Sequence, residues 1–300
     1  MNPFFAILVA AALRGHAVPV VDSLPPLPPL EISILPDAGV TIYPRRDEVT
    51  IELPPVDLPA NLSHADMSHH GGSKEMEAVN PGYPPVSKVS MPSSGAIYAF
   101  RVEMIDSAGN KLPDQLLHHL NFIDPFHREL FLPISRRMIA AGKETGSQRL
   151  PWLLFGLPVR ANQILVLSAM LHNPTPVAYR QVRTRLVLSY TRASRPWPFF
   201  EVFPWQLDVL FPVGDKSFDL PPGRSSKSYE ARPAISGKIV AVGGHVHEHA
   251  TRISLTDVTT GEVIWEAAPQ MDERGQVKAV PVGRLYKWNR VGAPVRADHT

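Results

Sequence analysis

With twelve histidines and no cysteine, any metal in this chain must be held by His, Met, Asp or Glu. The tightest spacing lies in "AVGGHVHEHATRISLTDV", where His245, His247 and His249 stand at every second position. Residues two apart on a strand point the same way, so a strand here would set the three rings on one face. Two such imidazoles can chelate one ion, and Gly243-Gly244 lets the backbone bend toward whatever binds. The alternative is a solvated strand face whose histidines are incidental.

A second concentration is "LLHHLNF". Adjacent strand residues point to opposite faces, so His118 and His119 can serve one ion only if the strand bulges at the pair. Without a bulge, two imidazoles among apolar neighbours each need a separate polar partner. His172 closes "ILVLSAMLHNP" and shares a strand face with Ile164, Val166, Ser168 and Met170. It gains meaning only if its strand lies beside residues 116–122; otherwise it caps a strand end. The stretch "NLSHADMSHHGGSKEMEAVNPGYPPVSKVSM" mixes His64, Met67, His69, His70, Met76 and Met91. That mixture suits soft-metal capture, copper above all, or else forms a solvated loop.

Other chemistries are thinly represented. Without cysteine there are no disulfides, zinc ribbons or thiol nucleophiles. No G-x-S-x-G elbow or glycine-rich phosphate loop occurs, and no carboxylate pair stands out as acid and base. A formal net charge of +2 over 300 residues, with no dense basic run, argues against nucleic acid as a partner.

The elements that must position these histidines read as strands. The 32 prolines are about twice the usual share and leave little room for long helices. Strand patterns run through "VTIEL" and through "AIYAFRVEMID", with Tyr98, Phe100, Val102 and Met104 on one face and Arg101 and Glu103 on the other. "SAGN" reads as a turn and "LPDQLLHHLNFIDP" as the returning strand, ended by Asp124-Pro125. "RRMIAAGKETGS" reads as one short helix closed by Gly142. "NQILVLSAMLHNPTP", "VRTRLVLSYT", "GKIVAVGGHVHEH", "TRISLTDV" and "EVIWEA" follow as strands, the last two joined by a tight turn at Thr260-Gly261.

These spacings predict an all-β fold of two consecutive antiparallel β-sandwich, jelly-roll-like domains. The boundary falls near residues 192–198, giving units at 91–195 and 196–300. Residues 18–90 form a Pro-rich linker and extension. The apolar run Phe4–Leu13 is too short to span a bilayer, and Gly15-His16-Ala17 offers a cleavage pattern. Residues 1–17 are therefore expected to be a signal peptide, and the protein to be secreted or periplasmic without stable membrane insertion. An ordinary apolar N-terminal strand is the alternative.

An HH pair, a later single histidine and an HxH in a second β-unit resemble the copper type II, ascorbate-dependent monooxygenases. That family includes the peptidylglycine α-hydroxylating and dopamine β-monooxygenases. The likeness spans roughly residues 90–300, through "LLHHLNFIDP", "LHNPTP", "KSFDLPPGRS" and "GGHVHEHATRISLTDVTTGEVIWE". It implies two sandwich domains with one copper each across a cleft. The first copper would take His118, His119 and His172; the second, where oxygen is activated, would take His245 and His247 plus a methionine. His249 would be a further ligand, a supporting donor or exposed.

The chain departs from that pattern in three places. It stops at "RADHT" in what reads as mid-domain, before the family's methionine ligand, and Met271 falls too early to replace it. The arginine that grips a peptide carboxylate is Gly243 here. The disulfides of the animal members cannot form.

The resulting expectation is an exported two-copper protein that hydroxylates a C–H bond of an unidentified small molecule, using oxygen and a reductant such as ascorbate. His245 and His247 would be its catalytic ligands. A non-catalytic, exported copper-binding or stress-related protein is the alternative. A third possibility is a structural or carbohydrate-contacting sandwich that presents Trp197, Phe199, Phe200 and Trp205.

Overall fold

The strand Tyr179–Arg192 is the spine of the molecule. Its Leu186 and Leu188 are fully buried, and it pairs antiparallel with Glu48–Glu52 on one side and Gly95–Ile105 on the other. The computed structural model describes residues 9–13, 32–61, 85–129, 134–207, 221–273 and 275–300. The chain is all-β; among the described residues its helical turns are the short 3-10 segments Ile32–Ile34 and Asp114–Leu116. Among the described residues no helix is long and apolar enough to cross a membrane.

Two sheets set up the site. The longer runs Gly39–Tyr43, Glu48–Glu52, Tyr179–Arg192, Gly95–Ile105, Phe155–Val159, Phe200–Trp205, Val9–Leu13, Gly237–Ile239, Ala293–Val295. Only the pair Phe155–Val159 and Phe200–Trp205 is parallel along this path. The shorter sheet has the order Val86–Ser90, Ile164–Leu171, Leu117–Arg128, Ser135–Ala141. Leu120, Phe122, Leu165, Leu167 and Leu171 on its inner face are fully buried and share one core cluster with Ile51, Leu186, Leu188 and Tyr190 of the longer sheet. Each such side chain contributes about 1.5–3 kcal/mol by leaving water. A second core gathers Trp205, Val242, Val246, Ile253 and Trp265.

The sheet path crosses residues 192–198, because Tyr179–Arg192 and Phe200–Trp205 belong to the same sheet. The strand Val9–Leu13 also lies in that path, pairing with Phe200–Trp205 and Gly237–Ile239. Cleavage near Ala17 would take this strand away.

Several local readings are corrected by the pairing. "RRMIAAGKETGS" is not a helix: Ser135–Ala141 is a strand against Leu117–Arg128. Ala, Met and Arg favour helix intrinsically, but buried Met138, Ile139 and Ala141 gain more by joining the sheet. "LPDQLLHHLNFIDP" does not return beside Gly95–Ile105; after the turn at Asp106–Asn110 it crosses to the shorter sheet and continues through Asp124-Pro125 to Arg128.

Arg101 and Glu103 do project outward, where Arg101 meets Glu48 at 2.9 Å. Tyr98 leaves the expected row with Phe100 because the register slips there: Ser189 faces Ala99 while Tyr190 faces Ile97. The Ile253–Asp257 and Glu262–Ala267 hairpin forms as read, with Gly261 at φ 75° in its turn.

Candidate metal centre

The Leu117–Arg128 strand breaks register at the histidine pair. Met170 faces His119, yet the next residue, Leu171, faces Leu117, so His118 is an extra residue in a bulge. The bulge turns both rings to one side, with centroids 4.0 Å apart. Buried Leu117 and Leu120 flank the pair and pin it from the core. His172 continues the ladder just beyond the bulge, its N–H donating to the Leu116 carbonyl at 3.0 Å.

The other two histidines come from a segment that is not a strand. Pairing ends at Val242, and residues 243–247 run as irregular backbone. Gly244 explains the departure: a Cβ there would stand 2.5 Å from Ile253 Cδ1 and 3.2 Å from the Trp265 ring. Buried Val246 anchors in the second core and leaves His245 and His247 on the opposite side. Their Nε2 atoms lie 3.1 Å apart. His249 turns away at φ 71° and is exposed, so the expected trio on one face is a pair.

His119, His245 and His247 each offer a ligand atom, all within 4.8 Å of one another. The ring of His119 is 4.9 Å from that of His245, and the ring of His118 is 5.7 Å from that of His247. Four of the five matched histidines therefore gather at one place, instead of forming two separate nests. The ring of His172 is not one of the three that offer atoms at this spacing.

Glu144 completes the site. It is buried in the turn after Ser135–Ala141, and its Oε1 lies 2.5 Å from His245 Nδ1. Gly142 leaves room for it, since a Cβ there would meet the two carboxylate oxygens at 2.6 and 2.7 Å. Lys143 reaches Glu248 at 3.8 Å, tying the same two loops a second time. Nothing in the local sequence marked Glu144, because its partner lies 101 residues away.

The electrostatics favour neutral His119 and His247. Burial is the main cause that holds His119 well below the ordinary histidine range, and the neighbouring His118, His245 and His247 push the same way. Burial lowers His247 to about 4, helped by His245 and opposed by Glu248 and Glu144. For Glu144, burial works upward, but the His245 hydrogen bond and charge outweigh it and keep the carboxyl below its usual value. With Nδ1 of His245 held by Glu144, its Nε2 faces His247, and in the tautomer that donates Nδ1–H to the carboxylate that Nε2 carries a lone pair. His247 then donates to it, or presents a second lone pair once its own proton sits on Nδ1. Nitrogens about 2 Å from a shared ion stand roughly 3–3.5 Å apart, which the 3.1 Å separation meets.

A cavity of about 350 Å³ opens beside His119, His245 and Glu144. Ile97, Phe100, Leu157 and Val202 supply apolar walls, and Met138 and Met170 also line it. Met271, by contrast, is 38% exposed in the short strand Gln270–Met271. Met91 is buried in the first core, while His64, Met67, His69, His70 and Met76 lie outside the described residues. Trp205 is buried in the second core, whereas Trp197 and Phe199 are exposed.

An all-β fold that brings three imidazoles, a buried carboxylate and an apolar cavity together defines a candidate histidine-held metal centre. No protein-family model matches the chain, nor does any curated protein or solved structure.

Proposed function

We propose that the chain holds one copper ion at His119, His245 and His247 and applies it to a small molecule in the adjoining cavity. In this reading it is a relative of the copper type II, ascorbate-dependent monooxygenases. The observation that carries the proposal is the convergence of three nitrogen donors within 4.8 Å of one another. Imidazole suits copper in both common oxidation states, and a bound copper would supply one-electron exchange with oxygen and a reductant such as ascorbate. Glu144 holds His245 in the orientation that presents Nε2, and its negative charge offsets part of the ion's. Ile97, Phe100, Leu157 and Val202 give the adjoining cavity apolar walls.

Metal analysis after copper loading and dialysis tests this. The wild-type chain is expected to retain one equivalent more than a His119→Ala/His245→Ala/His247→Ala variant. Equal copper in the two proteins would end the proposal, whatever the His/Met-rich segment binds. Zinc retained in place of copper under competition would remove its redox part.

A second reading is non-catalytic copper binding, and the position of His118 favours it. Its ring stands 4.0 Å from that of His119 and 5.7 Å from that of His247, outside the converging three, so a small shift of the bulge would add a fourth imidazole and close the centre. Ascorbate-dependent oxygen uptake by the copper-loaded protein separates the two. Uptake above that of the triple variant selects the enzyme; copper without uptake selects the binding protein.

A further inference from the structure

The permanently charged side chains that line the cavity beside the histidines are either engaged or in water. Glu144 is held by His245. Arg137 has an interaction of its own. Arg149 and Arg284 are exposed, and the Arg149 guanidinium stands 5.3 Å from the Tyr98 ring. The walls contributed by the longer sheet, Ile97, Phe100, Leu157 and Val202, are buried and apolar. Asn121 and Ser168, which face each other across two strands of the shorter sheet, add neutral polar groups.

We infer that this cavity binds an uncharged, largely apolar small molecule, seated against Ile97, Phe100, Leu157 and Val202. A carboxylate or an ammonium would leave water for walls that hold no charge to receive it, and burying an unpaired ion is costly. A hydroxyl or a carbonyl needs only one neutral partner, which Asn121 or Ser168 can supply. The volume, about 350 Å³, lies at the lower end of the roughly 300–1,000 Å³ usual for small-ligand sites. As a statement of what the centre acts on, the inference rests on the copper reading and names its class of substrate. As a statement of what the cavity holds, it stands without the metal.

Calorimetric titration of the metal-free, full-length protein with octanol, octanoate and octylammonium, each below its solubility limit, tests the inference. The three probes share one chain and differ in the charge of the head. Octanol is expected to bind at one site about tenfold more tightly than either ion, or better. Gly243 lines the cavity outside the positive-φ region, and a Cβ there would meet only Val282 Cγ2, at an ordinary 3.6 Å. A Gly243→Leu variant is therefore expected to keep its melting temperature and to lose most of its octanol affinity. Ala140→Leu, on another part of the lining, reads the same loss independently. Equal affinity for all three probes, or tighter binding of an ion, would overturn the neutral class. No binding of octanol, or unchanged affinity in both folded variants, would overturn the site. Because no metal is present, loss of the copper reading leaves this result standing, and its failure leaves the metal analysis untouched.

Discussion

His245 and Glu144, 101 residues apart in the chain, are joined by a 2.5 Å contact between Nδ1 and a carboxylate oxygen. The contact decides which nitrogen of His245 faces the cluster. Removing such a partner from a ligating histidine lowers metal affinity by roughly 10–100-fold. Glu144→Ala is expected to show a loss of that order, and Glu144→Gln a smaller one, since an amide oxygen still accepts the Nδ1–H. Gly142→Ala should act like Glu144→Ala, because the added methyl displaces the carboxylate oxygens. Competitive copper titration of the three variants checks the order; unchanged affinity in all of them would separate Glu144 from the centre.

Deleting His118 is expected to leave the fold intact. The flanking register already pairs Leu117 with Leu171 and His119 with Met170, so removing the extra residue restores regular alternation. Leu117 stays in the core and His119 stays on the cavity side. A three-histidine centre then keeps its copper equivalent, while a four-histidine centre loses affinity and changes its copper spectrum. Chemical denaturation and copper spectroscopy of the deletion variant read the two outcomes.

The metal-free protein should lose stability in mild acid. An unfolded chain protonates His247 near pH 6.5, whereas burial holds the folded residue at about 4. Between those values the unfolded state binds more protons, so unfolding becomes easier as pH falls from 6.5 to 4 and levels off below, as far as this group is concerned. The full shift corresponds to a loss on the order of 3 kcal/mol. Urea denaturation of wild type and His247→Gln across this range, with a chelator present, measures it. Parallel pH profiles would contradict a buried, neutral His247.

Removing residues 1–17 is expected to lower the melting temperature by several degrees and to promote association. The strand Val9–Leu13 lies between Phe200–Trp205 and Gly237–Ile239, and its loss leaves both edges unpaired. Calorimetry and light scattering of the shortened chain test this. Unchanged melting and a monodisperse protein would fit a cleaved leader instead.

The sequence by itself determined the all-β class, the strand patterns of the spine and the pairing of His245 with His247. Each depends on local period, which held for His245 and His247 and failed for His249, where the backbone turns. It also stated the condition on His118 and His119, that a bulge must turn them together, without showing that the bulge exists. Only the tertiary structure decided that these two pairs meet in one place, that Glu144 backs His245, and that His249 turns away at positive φ. It also made a strand of Ser135–Ala141 against its helical composition. The physical reason is the same in each case. A bulge, a buried carboxylate and a contact 101 residues long are settled by how the shorter sheet and the 243–248 segment pack together, and no local spacing carries that information.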